Sequence, residues 1–237
     1  MACLAVARCE RSRSMNVLLL APEPFYEERG TPIAIDRLIR VLSERGHKID
    51  VVTYHEGRNV EYDGVELHRI PCPWFLRNIR PGFSWKKLIC DAFLLLKAIR
   101  LCTRRRYQLV HAVEESVYIA MLIKALRRVP YVYDMDSSLS QQMIERYPVL
   151  SPFAFVLDSL EGVAVRNAKV VVAVCDQLAA AVEKHRPKRV VILHDSPMLN
   201  GPCRVQEDLR AQLGTGGVLL MYVGNLEPYQ GIDLLLE

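Results

Sequence analysis

The sequence predicts an α/β fold: a Rossmann-like parallel sheet with flanking helices, followed by the start of a second α/β domain. Short apolar runs alternate along the chain with segments of helical spacing, which is the order of a parallel α/β sheet. The runs Asn16–Ala21 and Ile49–Thr53 are apolar at most positions, as is typical of strands covered on both faces. Pro197, Gly201 and Pro202 mark a linker. We therefore expect a lead at 1–14, one domain at 15–195, and a truncated second domain at 196–237.

Composition indicates an ordinary soluble protein, with 51% hydrophobic and 24% charged residues in 237. The seven cysteines are an odd number without metal-ligand spacing, which favours reduced thiols in the cytoplasm. No uninterrupted apolar run reaches the roughly 18 residues of a membrane span. The apolar segment within the first 14 residues is too short for a signal peptide. They are either a disordered lead or an over-called start before Met15, or a vestigial targeting segment.

The first strand and helix form a parallel crossover unit with the second strand. Thr31 suits an N-cap, Pro32 the first helical position, and Gly46 the end of the helix. No G-x-G-x-x-G motif follows the strand and no P-loop lysine occurs, so we expect no nicotinamide or flavin cofactor. The glycines at 214–217 precede a predicted strand and are interpreted as a turn.

A third strand is predicted at 65–70, and a long helix at 84–105 carries unusual charge. Between Arg77 and Arg106 there are nine Lys or Arg residues and one acid. We expect a core-facing stripe of Leu88, Ala92, Leu95 and Ile99, and a cationic stripe of Lys86, Phe93, Lys97, Arg100 and Arg104. The cationic stripe is either a solvated face or a surface for anionic lipid headgroups.

Acidic residues follow the next two predicted strands, at 107–113 and 131–134. Glu114 follows the first, and Asp134, Asp136 and Ser137 end the second. Ligands of open α/β sheets bind at the carboxyl ends of the strands, so these side chains are candidates for holding substrate hydroxyls. Alternatively, Asp136 or Ser137 caps the next helix.

The rest of the chain continues the alternation, with helices predicted at 153–167, 176–184 and 206–213 and strands at 169–174 and 189–193. The last stretch, 218–237, has the pattern of a buried strand, a glycine loop and the start of a helix. Such a unit is a ready site for phosphate.

Four motifs in order resemble the N-terminal half of a family-4 retaining glycosyltransferase of the GT-B fold. They are the glycine loop and helix from Gly30 to His47, the strand Leu109-Val-His111-Ala, the strand Pro130-Tyr-Val-Tyr-Asp134, and Tyr222-Val-Gly224-Asn-Leu-Glu-Pro-Tyr-Gln-Gly231-Ile-Asp. The match spans about 15–237. In the last motif Asn225 and Gln230 replace the Arg and Lys of the family, and Val113 replaces its second histidine.

The resemblance implies roles for individual residues. Catalytic roles fall to His111 and Glu114, although His111 is equally compatible with a packed core histidine. Acceptor binding falls to Asp134, Asp136 and Ser137. Donor phosphate binding falls to Gly30, Thr31, Gly224, Asn225 and Gln230. The family needs no metal, and we expect none here although Asp134 and Asp136 have the spacing of an acidic metal motif.

The implied function is transfer of a sugar from a nucleotide sugar to a sugar or lipid-linked acceptor, with this chain supplying the acceptor-side domain. Three alternatives remain: a non-catalytic half that binds a separate donor-domain chain, an inactive fragment, or an epimerase of the same fold. We expect no nucleic-acid partner and a cytoplasmic protein that is peripheral at the inner face of the membrane if the basic helix docks there.

Overall fold

The chain divides into two compact units, 1–195 and 196–237. The computed structural model describes residues 14–28, 30–71, 76, 84–195, 212, 214, 216, 218, 220–223 and 232–236. Each unit is treated by itself below.

Seven parallel strands form one sheet in the first unit. The strands are β1 (Asn16–Ala21), β2 (Lys48–Thr53), β3 (Val65–Arg69), β4 (Leu109–Val113), β5 (Tyr131–Met135), β6 (Val170–Ala173) and β7 (Val190–Ile192). Their spatial order is β3-β2-β1-β4-β5-β6-β7, and every neighbouring pair is parallel. This confirms the predicted Rossmann-like parallel sheet.

Helices cover both faces of this sheet. They are α1 (Gly30–Glu44), α2 (Trp85–Arg104), α3 (Val117–Arg127), α4 (Leu139–Arg146), α5 (Ala154–Asn167) and α6 (Asp176–Glu183). Short 3-10 turns at Glu114–Ser116 and Pro148–Phe153 precede α3 and α5. Helix α4 was not predicted as a separate element. It begins after Ser138, and the Ser138 Oγ accepts a hydrogen bond from the amide of Gln141.

The strands contribute alternate side chains to two hydrophobic clusters. Leu18 and Leu20 belong to the cluster that contains α2, α3, α5 and α6, whereas Leu19 and Ala21 belong to the cluster that contains α1. The period of two in a strand places these sets on opposite faces of the sheet. The face that carries α1 is thus distinct from the face that carries α2 and α3.

The predicted core stripe of α2 was wrong in its rotational phase, although its Leu95 is partly buried and packs against the core. The residues that face the core are Cys90, Leu94, Ala98 and Leu101, while Leu88 and Ala92 are exposed. The helix is apolar on nearly all sides, so spacing alone did not distinguish the covered side from the opposite one. Arg100 and Arg104 of the predicted cationic stripe are exposed, but Phe93 packs against the core.

In the second unit, the strand predicted at 218–223 was wrong. Its described positions, 218 and 220–223, are not in a strand and their side chains are exposed. A strand of this type requires hydrogen-bonded neighbours, and none lies beside these positions in the part of the unit that is described. A short helix, α7 (Ile232–Leu236), follows the predicted glycine loop.

Candidate functional site

The strand order defines a crevice at the carboxyl ends of β1 and β4. After β1 the chain continues to β2 and β3 on one side of the sheet, and after β4 it continues to β5, β6 and β7 on the other side. The connections after β1 and β4 therefore run in opposite directions. Ligands of open α/β sheets bind where the connections diverge. The loop after β1 carries Glu23, and the turn after β4 carries Glu114 and Glu115.

The turn after β4 holds Glu114 in an uncommon backbone conformation. Its φ of 46° lies in the left-handed region, which disfavours side chains other than glycine. The Ser116 hydroxyl, which is buried, lies 3.1 Å from the Leu20 carbonyl and 2.7 Å from the Val113 carbonyl and donates to them. These contacts tie the turn to β1 and fix Glu114 at the crevice.

Three carboxyl groups from different elements crowd together in the crevice. Burial raises the pKa of Glu23 to about 9, and the charges of Glu114 and Asp136 add to this effect. Burial and the neighbouring Glu115 raise the pKa of Glu114 to about 8. Burial also raises the pKa of Asp136, to about 6. Burial therefore favours the protonated forms of Glu23 and Glu114, which can donate hydrogen bonds as well as accept them.

One cation lies beside this carboxyl cluster. Lys87, from the first turn of α2, forms an ion pair with Glu115, and its charge lowers the pKa of both Glu23 and Glu114. A second buried pair lies next to it. The Tyr54 hydroxyl donates to Asp91 Oδ1 at 2.5 Å, and burial raises the pKa of Asp91 to about 7.

The N-terminus of α1 opens toward free space at the same edge. A Cβ built on Gly30 would meet no atom of the described residues within 4 Å. The Thr31 hydroxyl hydrogen-bonds to Asp136 and lowers its pKa, in opposition to burial. The unpaired amides of a helix N-terminus attract anions, so this end of α1 is suited to a phosphate or carboxylate.

His111 lies within β4 and contacts Asp134 on β5. Its Nε2 is 2.8 Å from Asp134 Oδ2, and the ring is 7% exposed. His111 is paired in register with Val132, and Asp134 is two residues further along β5 on the same face of the sheet. The pair holds the Asp134 carboxylate near Asp136. The charge of Asp134 raises the pKa of Asp136.

The structure brings several of the predicted site residues together. Thr31 meets Asp136, Asp136 shares the crevice with Glu114, and Asp134 meets His111. Ser137 does not cap α4; its Oγ accepts a hydrogen bond from Gln142 Nε2 at 2.5 Å, and Ser138 is the cap. Gly224, Asn225 and Gln230 lie outside the described residues.

Sequence reasoning missed Glu23, Lys87 and Glu115. Glu23 comes two residues after β1, and the argument that selected Glu114 from its position after β4 applies to it equally. Glu115 follows the same strand as Glu114 and was expected at the same edge of the sheet, but it was given no role. Lys87 gave no sequence signal, because its proximity to Glu115 depends on how α2 packs beside β1 and β2.

A group of metal-ligand type lies elsewhere on the sheet. Ligand atoms of Asp50, Glu66 and His68 lie within 4.8 Å of one another. Arg105 Nη1 lies 2.5 Å from Asp50 Oδ1 and 2.7 Å from Glu66 Oε2. The Arg105 guanidinium therefore supplies the positive charge that a metal ion would supply there. Burial opposes ionisation of Asp50, but hydrogen bonds from His68, Tyr107 and Arg105 hold its pKa at about 2. Asp50 and Arg105 also line a cavity of about 680 Å³ near the amino ends of β2 and β3.

The crevice at the carboxyl ends combines groups suited to a polyhydroxyl ligand. Protonated and ionised carboxyls can each pair with a hydroxyl group, and the open N-terminus of α1 can accept an anion beside them. The fold and this site define a domain of the class that binds ligands at the switch point of a doubly wound parallel sheet.

Comparison with known families assigns the chain more narrowly. Residues 29–195 match the family model described as the glycosyl transferase 4-like domain. The chain therefore belongs to this family. No curated protein matches the chain significantly.

Solved structures with a similar fold are known glycosyltransferases. Sucrose-phosphate synthase from Thermosynechococcus elongatus has a TM-score of 0.68 at 16% identity, over 94% of this chain and 58% of that chain. The Arabidopsis thaliana protein UGT89C1, complexed with UDP, has a TM-score of 0.50 at 11% identity, over 78% of this chain and 53% of that one. The chain thus spans little more than half the length of these proteins, and at these identities the similarity shows the fold alone.

Proposed function

We propose that this chain supplies the acceptor-side domain of a retaining glycosyltransferase, which transfers a sugar from a nucleotide sugar to an acceptor hydroxyl. The observation that carries the proposal is the carboxyl cluster of Glu23, Glu114 and Asp136 at the switch point of a family-4-like sheet. Substrate hydroxyls can donate to ionised carboxylates, which form the stronger hydrogen bonds, and can accept hydrogen bonds from protonated carboxyl groups.

The proposal gives each residue of the site a contact with either the acceptor or the donor. Glu114 and Glu23 hold acceptor hydroxyls, and Asp134, oriented by His111, holds another beside Asp136. Gly30 and Thr31 at the N-terminus of α1 face the donor diphosphate, where negative charge builds as the sugar departs. For Gly224, Asn225 and Gln230, phosphate binding stays a prediction from the sequence, because these residues lie outside the described part of the chain. We expect no metal at this site.

Saturation-transfer NMR on the whole 237-residue chain tests the acceptor role. The probes are a panel of free hexoses, their phosphates and alkyl glycosides. We expect at least one sugar to receive saturation from the chain, and Glu114→Gln to remove that signal. Glu44→Gln, an exposed position at the end of α1, is the matched control and should leave the signal intact. Absence of any signal, or a signal insensitive to Glu114→Gln, would contradict the proposal.

Calorimetry with UDP-glucose and other nucleotide sugars tests the division of roles. Because most donor contacts of the family lie in its second domain, we expect weak binding or none to this chain alone. Tight binding would show that the chain carries a donor site of its own.

A second candidate is a half enzyme that binds a separate donor-domain chain. The coding DNA downstream of Glu237 discriminates between the candidates. An adjacent gene for a donor domain supports a split enzyme, and a continuous reading frame supports one longer enzyme.

A further inference from the structure

The outer faces of α2 and α3 expose large apolar side chains. On α2, the side opposite its core stripe carries Trp85, Leu88 and Leu96, which are 59%, 53% and 63% exposed. On α3, the corresponding side carries Tyr118, Leu122 and Leu126, of which Leu126 is 62% exposed. The two helices contact each other in the same layer. A soluble protein seldom exposes so many large apolar side chains together unless they bind something.

The exposed charges of these two helices are all positive. α3 contains no acidic residue, and the single acid of α2, Asp91, accepts a hydrogen bond from buried Tyr54. Arg100 and Arg104 are exposed near the C-terminal end of α2, and Arg127 is the exposed last residue of α3. On α2 the exposed apolar side chains therefore come before the exposed cations, whereas on α3 the exposed Leu126 lies next to Arg127 at the C-terminal end.

We propose that the outer faces of α2 and α3 form a docking surface for an anionic lipid bilayer. Trp85, Leu88 and Leu96 enter the headgroup region, and Arg100, Arg104 and Arg127 contact lipid phosphates. Apolar side chains with Trp and Tyr next to Lys and Arg are the signature of interfacial helices, and aromatic rings favour the headgroup level. The complementarity with negative lipid identifies the occupant, because the surface offers no acid to a basic partner.

This proposal differs from the cationic stripe expected from the sequence. That stripe included Phe93, which packs against the core, and lacked the apolar residues that are exposed. The surface also requires α3, whose part in it depends on its packing beside α2. The proposal does not depend on glycosyl transfer.

One further apolar stretch lies in the same layer. Pro148–Asn167 is long and apolar enough to cross a membrane by length and composition alone. It joins a 3-10 turn to α5, and its Glu161 is buried, with Oε2 accepting a hydrogen bond from the Ser140 amide at 2.8 Å. This contact packs one side of α5 against α4, whereas Phe153, Phe155 and Val156 are 59%, 81% and 51% exposed.

Vesicle sedimentation with the whole chain tests the docking surface. The probes are vesicles of phosphatidylcholine alone and of an equal mixture with phosphatidylglycerol. We expect sedimentation with the mixed vesicles only. Each cation near an anionic surface contributes about a factor of five to binding. The double variant Arg100→Glu/Arg104→Glu should therefore lower the partition coefficient by at least about 30-fold.

Two further variants separate the contributions. Arg45→Glu/Lys48→Glu makes the same change in charge at exposed positions of α1's end and the start of β2. This control should change the partition by less than about threefold, because screening limits long-range attraction. Trp85→Ser/Leu96→Ser should lower the partition even at high salt. Circular dichroism checks that each variant is folded.

Three outcomes would overturn the proposal. The first is no sedimentation with mixed vesicles. The second is equal loss in the two charge-reversed variants, which would indicate attraction by net charge. The third is binding that Trp85→Ser/Leu96→Ser leaves unchanged. In a Trp74→Phe background Trp85 is the sole tryptophan, so its emission should shift to the blue on mixed vesicles and stay constant on phosphatidylcholine.

Discussion

Lys87 and Glu115 form an ion pair that joins the first turn of α2 to the turn after β4. Burial opposes the charge on Lys87, but Glu115 raises its pKa overall. The same ammonium lowers the pKa of Glu23, Glu114 and Asp91. One lysine therefore partly offsets the mutual repulsion of the carboxyl groups around the crevice.

Replacing this lysine should destabilise the chain and change the titration of the site. Lys87→Met leaves Glu115 without its partner in a partly buried position, and such a loss costs about 3 kcal/mol of unfolding free energy. It should also raise the pKa of Glu114 above about 8. Urea unfolding and NMR titration of side-chain carboxyl carbons measure the two effects. Lys97→Met, three turns further along α2, is the control and should change neither by much; equal losses in both variants would refute this role for Lys87.

Glu23 should make the stability of the chain depend on pH. Its pKa is about 9 in the folded chain, compared with an ordinary value of 4.5. A carboxyl that binds its proton more tightly when folded stabilises the fold at low pH and loses that contribution as the pH rises. The unfolding free energy should therefore fall between pH 4.5 and 9, with Glu23 contributing up to about 1.4 kcal/mol per pH unit.

Glu23→Gln should make this dependence shallower, because an amide does not titrate. Glu114, Asp91 and Asp136 also have raised pKa values, so part of the slope will remain. Chemical unfolding at several pH values measures the difference between the variant and the parent chain. Glu44→Gln should have the slope of the parent, and a Glu23→Gln slope equal to the parent would contradict the assignment.

Substitution by alanine should destabilise the chain at one glycine near the edge of the sheet and leave its stability unchanged at another. Gly57 has a φ of 109°, and a Cβ there would lie 2.4 Å from the backbone of Phe25. Gly57→Ala should therefore cost at least about 2 kcal/mol of unfolding free energy. Gly30 has open space around its Cβ position and begins a helix, so Gly30→Ala should be neutral to within about 1 kcal/mol. Thermal unfolding of both variants tests this contrast, and a similar loss at Gly30 would show that the N-terminus of α1 is packed.

The sheet could be predicted because its signal is local. Most of the strands are short apolar runs bounded by turn residues, β3 alternates apolar and polar residues, and parallel pairing follows from the intervening helices. Helix α4 was missed because it is short and only Leu139, Met143 and Ile144 in it are apolar; Ser138 and the buried Glu161 fix its start. The phase of α2 was misjudged because both of its sides are apolar, so only tertiary packing decides which is covered.

The site could be predicted in part for a similar reason. Glu114 and Asp136 directly follow strands and Asp134 lies in the last part of β5, so their place at one edge of the sheet was accessible from the sequence. The ion pair of Lys87 with Glu115 and the bond of Thr31 to Asp136 join elements distant in the chain. Their proximity is set by the packing of α2 and α1, which periodicity does not encode.

The most direct test of the central claim is chemical-shift mapping of the isotopically labelled chain with a sugar that gives a saturation-transfer signal. If the carboxyl edge of the sheet holds the acceptor, the perturbed resonances will be those of Glu23, Thr31, Glu114 and Asp136. The cavity at the amino ends of β2 and β3, which Asp50, Glu66 and Arg105 line, offers an alternative site in the same chain. Perturbations confined to those three residues would contradict the account.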